Sequence, residues 1–130
     1  MKNKLKQWLD NLQTYVIVDG ADNSVTLSKR LVKDMGVMEM TTQPKVMVFK
    51  VMGGYGFMVD PEVEQETQLN DIQYNEKHKT IGFETLCPTV NRILYDYGLP
   101  QGRYKLGIKK HRSKGKVFYA ISKPNGEHLG

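Results

Sequence analysis

An α+β fold is what this sequence predicts: two strand-helix-hairpin units sharing one core, in a small barrel-like antiparallel sheet with an N-terminal helix. Three observations carry that expectation. Residues 24–60 run in the order strand, short helix, glycine stop, strand, tight turn, strand. A looser version of the same order returns over residues 80–121. Ahead of both, Leu5, Trp8, Leu9 and Leu12 fall at i, i+3, i+4 and i+7, which lines one face of a helix over residues 2–12.

Each element has a local cause. Residues 14–18 are β-branched nearly throughout and read as a strand, and Asp19, Gly20, Ala21, Asp22 and Asn23 make a turn cluster. Val25, Thr26 and Leu27 form the next strand. Ser28 can cap a helix, because its hydroxyl accepts from the unpaired amides of the first turn. Leu31, Val32 and Met35 give that helix an apolar face, and Gly36 supplies the left-handed residue at its end. Residues 45–51 read as a strand buried on most of both faces, with Val46, Val48 and Lys50 on one side and Met47, Phe49 and Val51 on the other. Gly53, Gly54, Tyr55 and Gly56 are expected as a hairpin turn leading to a return strand at residues 57–59, and Asp60-Pro61 ends it.

The second half is read in the same way. Ile72 and Tyr74 alternate with polar residues as a leading strand, and residues 81–83 form the next. Thr85 or Cys87 caps a helix with Pro88 in its first turn. Val90, Ile93, Leu94 and Tyr97 line its apolar face and Gly98 stops it. Residues 104–108 and 116–121 are then a hairpin, with a basic turn centred on residues 113–115. Leu31, Val32, Met35, Gly36 and Val37 thus correspond to Ile93, Leu94, Tyr97, Gly98 and Leu99, and the spacing suggests an internal duplication. The expected organisation is one domain: an amphipathic helix at 1–12, a first unit at 14–61, an acidic linker at 62–71, a second unit at 72–122 and a frayed tail at 123–130 that follows a turn at Pro124, Asn125 and Gly126.

Composition narrows the function classes. At 130 residues with 39% hydrophobic and 25% charged residues, the chain can bury a real core and is not of the disordered class. No apolar run approaches the ~20 residues of a membrane helix, and the first ten residues lack a signal-peptide core. With a single cysteine, Cys87, a cytoplasmic protein is expected. The net charge of +5 is uneven: residues 1–99 hold 11 Lys/Arg against 13 Asp/Glu, while residues 100–130 hold 8 Lys/Arg against Glu127 alone.

The stretch from Tyr15 to Asp60 resembles the AbrB/SpoVT family of swapped-hairpin DNA-binding domains. The resemblance rests on residues 24–37, SVTLSKRLVKDMGV, with a strand before them and a hairpin after. The family implies a barrel in which two copies exchange hairpins, usually as a dimer, and which contacts DNA through basic residues. A degenerate second copy at residues 80–121 would let one chain build such a barrel alone. This sequence departs from the family pattern in three places. Ser28 stands where the family has proline, the hairpin lies farther from Gly36, and the first two strands lack the basic residues that touch DNA, so DNA contact is not expected there.

The expected partner is a nucleic acid, held by the basic C-terminal hairpin: Arg103, Lys105, Lys109, Lys110, Arg112, Lys114 and Lys116. Clustered cations repel one another until a polyanion neutralises them. Tyr104, Phe118 and Tyr119 lie near enough to stack on bases if they face outward. A small DNA-binding regulator or mobile-element protein fits this reading. The alternative is an assembly module without catalytic activity, a homo-oligomer in which the acidic linker of one molecule meets the basic hairpin of another. No catalytic motif and no cofactor or metal pattern emerges. His78, His111 and His128 lack metal-ligand spacing, and a Cys87 nucleophile has no local support.

Overall fold

The computed structural model describes residues 13–61 and 68–130, with backbone alone at 123–125. The helix expected at residues 2–12 and most of the expected linker lie outside the described residues. Alternation of buried and open positions produces the strands. In β1 (Tyr15–Asp19) Val16 and Val18 are fully buried, and in β2 (Ser24–Leu27) Val25 and Leu27 are buried. Then come α1 (Lys29–Met35), a 3-10 turn (Val37–Glu39), β3 (Lys45–Val51) and β4 (Gly54–Val59). The second half supplies β5 (Asn70–Asp71), β6 (Gln73–Asn75), β7 (Thr80–Glu84), α2 (Val90–Asp96), β8 (Arg103–Ser113) and β9 (Lys116–His128).

All nine strands belong to one antiparallel sheet in the order β5-β3-β4-β9-β8-β1-β2-β7-β6. The two outermost strands are neighbours in sequence, separated by Ile72. One short segment therefore pairs with β3 through Asn70 and Asp71 and with β7 through Gln73, Tyr74 and Asn75. The sheet wraps into a nearly closed barrel. Its interior holds Val16, Val18, Val25, Val46, Val48, Phe57, Phe83, Leu106, Ile108 and Tyr119. The helices add Leu31 and Met35 from α1 and Val90, Ile93 and Leu94 from α2 to the same core. Neither half makes its own sheet: β1 pairs with β8, β2 with β7, β3 with β5 and β4 with β9.

Ser28 accepts from the Leu31 amide at 3.3 Å as N-cap of α1, and its hydroxyl also takes the Tyr15 amide at 3.2 Å, tying the helix start to β1. Gly36 ends the helix at φ 67°, and its amide donates to the Lys33 carbonyl.

Left-handed residues recur in matched places. Met52-Gly53 and Lys114-Gly115, 62 positions apart, close the two hairpins with φ of 54° and 77° and of 52° and 77°. Gly36 and Gly98, again 62 apart, follow the helices with φ of 67° and 71°. Asn23 and Lys79, 56 apart, turn the first strand of each half into the second with φ of 55° and 53°. Across the sheet, Phe57 pairs with Tyr119, 62 positions on, and Thr26 pairs with Gly82, 56 positions on. The change of spacing falls between β7 and α2, where residues 85–89 replace the single Ser28 of the first half.

Several boundaries differ from the sequence reading. The first hairpin turns at Met52-Gly53, and Gly54, Tyr55 and Gly56 are strand. Gly54 is glycine for space, since a Cβ there would stand 2.4 Å from the Tyr97 hydroxyl. Helix α2 is capped by Thr89, whose side chain accepts from the Arg92 amide at 3.2 Å. Thr85 is instead fully buried and donates to the Pro88 carbonyl. The acidic linker does not extend to residue 71, because Asn70 and Asp71 are paired with β3. The expected tail continues the sheet. β9 runs to His128, opposite Tyr104, and the Leu129 amide donates to the Arg103 carbonyl at 2.7 Å. The expected turn at residues 124–126 is an irregularity within that strand, between the pairs Lys105↔Glu127 and Gly107↔Lys123.

Gly82 tests the close crossing of β2 and β7. A Cβ there would stand 2.1 Å from the Val25 carbonyl oxygen and 3.0 Å from the Thr26 Cα, and neither backbone atom can swing away. Gly82→Ala is expected to cost about 3 kcal/mol or more in urea unfolding. Gly115→Ala, with open space but φ 77°, is expected to cost only about 1 kcal/mol.

Candidate nucleic-acid interface

The second hairpin is longer and more regular than the sequence suggests. β8 and β9 stay paired from Ile108↔Ile121 out to Ser113↔Lys116, and Lys114-Gly115 forms a two-residue turn. Positive φ at both turn positions matches the twist of the flanking strands. Lys109, Lys110, Arg112, Lys114 and Lys116 are all exposed within this distal part. Pairing sorts them by face. Lys110 lies opposite Tyr119 and Arg112 opposite Val117, on the side that continues the barrel interior. Lys109 lies opposite Ala120 on the outer side, where His111 faces Phe118. Among the described residues, the ion pairs are Arg30–Asp34, Lys45–Asp71 and Arg92–Asp96, so no carboxylate neutralises the five tip cations.

The hairpin is held from below by the other half of the chain. The buried Tyr119 hydroxyl donates to the Asp34 carbonyl of α1 at 3.3 Å. Burial pushes the Tyr119 phenol up, the Asp34 carboxylate adds to that, and the Arg112 guanidinium opposes it. This contact brings the last turn of α1 to the hairpin, and α1 exposes Lys29, Arg30 and Lys33. Arg30 bridges Asp34 at 3.2 Å, while Lys29 and Lys33 enter no ion pair among the described residues. Sequence reading could not find the Tyr119–Asp34 contact, because 85 positions separate the two residues.

Arg103 and Lys105 stand apart from the tip. Ten residues separate Arg103 from Ser113, ~33 Å along an extended strand. Lys105 sits over the Tyr15 ring at 4.2 Å. Arg103 lines a groove of about 830 Å³ on the outer face of β1, β2, β7 and β6, together with Asp19, Asp22, Glu84 and His78. Of the three aromatics considered for stacking, Tyr104 and Tyr119 are buried in the core and Phe118 faces out.

The corresponding place in the first half has other chemistry. The tip at Met52-Gly53 is uncharged, and Met52 is 69% exposed. The Tyr55 hydroxyl donates to the Asp96 carboxylate, and the Tyr55 amide donates to the Tyr97 hydroxyl at 2.8 Å. Burial, then the Asp96 contact, pushes the Tyr55 phenol up to about 12. The Tyr55 hydrogen bond, with the Arg92 and Lys50 charges, holds the Asp96 carboxyl below its ordinary 3.8 against some desolvation. The potential nucleophile Cys87 is exposed. His111 stacks on Phe118 at 5.3 Å and His128 lies 4.9 Å from the Tyr104 ring. Among the described residues, no three His, Cys, Asp or Glu side chains gather as a metal site, and no helix is long and apolar enough to cross a membrane. Comparison with protein-family models, curated proteins and solved structures finds no match to this chain.

The Tyr55–Asp96 contact sets a pH signature. Tyr55 stays neutral in the fold to about 12 but ionises near 10 when unfolded, so its contribution is full below pH 10 and is lost between 10 and 12. Asp96 works in the opposite sense: its contribution is full above 3.8 and is lost as the pH falls below that value. Urea midpoints measured across pH 10 to 12 are expected to fall less steeply in Tyr55→Phe than in the parent protein. Equal slopes would remove Tyr55 as a cause of alkaline loss.

Proposed function

We propose that the chain is two copies of one strand-helix-hairpin unit, arranged as the AbrB/SpoVT resemblance implies, and that it binds the backbone of a nucleic acid through the β8–β9 tip. What supports the duplication is the constant spacing of the helix stops and hairpin turns, together with the pairing of Phe57 with Tyr119 and of Thr26 with Gly82. Each unit lends its hairpin to the other's first strand, β3 to β5 and β8 to β1. A single chain then makes the barrel that two chains make in the resembled family.

One observation carries the binding reading. Five exposed cations, Lys109, Lys110, Arg112, Lys114 and Lys116, crowd one hairpin end with no carboxylate paired to them among the described residues. Such a cluster is relieved by phosphates, and binding releases their condensed counterions. The charge carries no base-specific geometry, so the interaction is with the backbone and independent of sequence. Arg103 and Lys105 fall outside this contact, since they lie at the far end of β8. A cytoplasmic regulator or mobile-element protein accommodates such an activity.

The groove bearing Asp19, Asp22 and Glu84 favours a second reading, a homo-oligomer in which the basic tip of one copy enters the acidic groove of the next. One titration separates the two. Five phosphate contacts give a salt slope near −4.5, an affinity loss of roughly 500-fold between about 50 mM and about 200 mM salt. Duplex DNA followed by anisotropy is expected to show that slope, and single-stranded DNA and RNA a shallower one of about −3.5; the fivefold Lys/Arg→Ser variant is expected to abolish both. Absence of binding at about 50 mM salt, or binding unchanged in the variant, would overturn the nucleic-acid reading. Salt-sensitive self-association without it would establish the oligomer.

A further inference from the structure

The β8–β9 tip carries its cations on two faces. Directly paired residues point to the same side of an antiparallel ribbon, and successive residues alternate. Lys109, opposite Ala120, and Lys116, opposite Ser113, therefore share the outer side. Lys110, opposite Tyr119, and Arg112, opposite Val117, share the other. Lys114 stands at the turn between the two faces. All five are exposed, and among the described residues none enters an ion pair. The charge is divided evenly between the faces, with one cation at the end.

The ribbon is also held in one shape. Every residue from Lys109 to Ser113 has its partner between Lys116 and Ala120, without a bulge. His111 stacks on Phe118 at 5.3 Å, tying the two strands together. The turn, with φ of 52° and 77°, carries the strand twist across. A shape fixed in advance loses little freedom on contact. A flat polyanion meets one face of such a ribbon and leaves the cations of the other unrelieved. A groove with phosphates on both walls relieves both. Stacked sheets lie ~10 Å apart, so one ribbon with its side chains is ~10 Å thick. The major groove of B-DNA is ~12 Å wide and ~8.5 Å deep, and the minor groove is ~6 Å wide. The ribbon fits the first and not the second. At ~3.4 Å per residue, that depth takes in the turn and about two rungs. Arg112, Lys114 and Lys116 then lie within the groove, and Lys109 and Lys110 at its rim. The major groove of an A-form RNA duplex is too narrow for side chains to enter.

We propose that the β8–β9 tip seats in the major groove of duplex DNA, with Lys109 and Lys116 toward one phosphate wall and Lys110 and Arg112 toward the other. The seat presupposes that the tip binds a nucleic acid, as proposed above, and names which kind. It selects for the B-form duplex and not for a base sequence, since its cations meet phosphates.

Anisotropy on a mixed-sequence duplex, followed across salt, tests the seat. Contact by both faces and the turn gives a salt slope of about −4.5. Lys109→Ser/Lys116→Ser and Lys110→Ser/Arg112→Ser, each checked as folded by circular dichroism, remove two contacts apiece. Each is expected to bring the slope to about −2.7. The same duplex carrying glucosylated hydroxymethylcytosine, whose sugars fill the major groove, leaves only one face and the turn in reach of phosphate. The parent protein is expected to bind it with a slope no steeper than about −2.7. Netropsin, which occupies the minor groove, is expected to leave binding unchanged, and an RNA duplex of the same sequence is expected to bind more weakly. A slope still at about −4.5 in either double variant would reveal contact by one face and overturn the seat. So would the full slope on the glucosylated duplex, competition by netropsin, or equal affinity for the RNA duplex. Failure to bind any nucleic acid would instead remove the reading on which the seat depends.

Discussion

Closure of the sheet by residues 70–75 is the constraint on which the other features depend. An open antiparallel sheet leaves two edges whose amides and carbonyls seek partners. Here one segment serves both edges, pairing with β3 through Asn70 and Asp71 and with β7 through Gln73, Tyr74 and Asn75. At the crossover the Ile72 amide donates to the Pro44 carbonyl at 3.0 Å, and the Gln43 side chain donates to the Ile72 carbonyl. The buried Asn70 amide reaches both sides, donating to the Val46 carbonyl and accepting from the Leu86 amide, each at 3.4 Å. Because β3 comes from the first half and β7 from the second, this segment also locks the halves together.

Each of the two hairpins meets the helix of the opposite half. Tyr119 reaches the end of α1, and Tyr55 and Tyr97 join the first hairpin to the end of α2. The two tips differ in their side chains. One tip ends in Met52-Gly53 and is tied to a carboxylate, while the other ends in Lys114-Gly115 and has five cations facing water. An unbalanced charge cluster costs stability through self-repulsion. A polyphosphate partner offsets that cost, and this links the asymmetry of the two tips to the proposed activity.

Local chemistry made part of this legible. Ser28, Gly36 and Gly98 mark helix boundaries through side-chain and backbone preferences that act within a few residues. The inward Val46 and Val48 follow from period-two alternation. Other features depended on distant neighbours. Gly54 reads as a turn residue until the Tyr97 hydroxyl is placed against it, and Asn70 and Asp71 read as linker until β3 supplies their partners. Pro124, Asn125 and Gly126 carry turn chemistry, yet β8 holds that stretch in a strand. For the candidate site, the crowding of cations was visible in the residues themselves. The separation of Arg103 and Lys105 from the tip arises from strand length, and the contact of Tyr119 with the end of α1 from the packing of one half on the other.

Interdependence of the halves is the central claim, and a chain cut within residues 62–67 tests it most directly. The account predicts that each fragment alone gives the collapsed amide spectrum of an unfolded chain, since β1–β4 and β5–β9 each lack the strands that complete their pairing. Mixed at equal concentration, the two should regain the dispersed spectrum of the intact barrel. A dispersed, cooperatively melting spectrum from either fragment by itself would contradict the account.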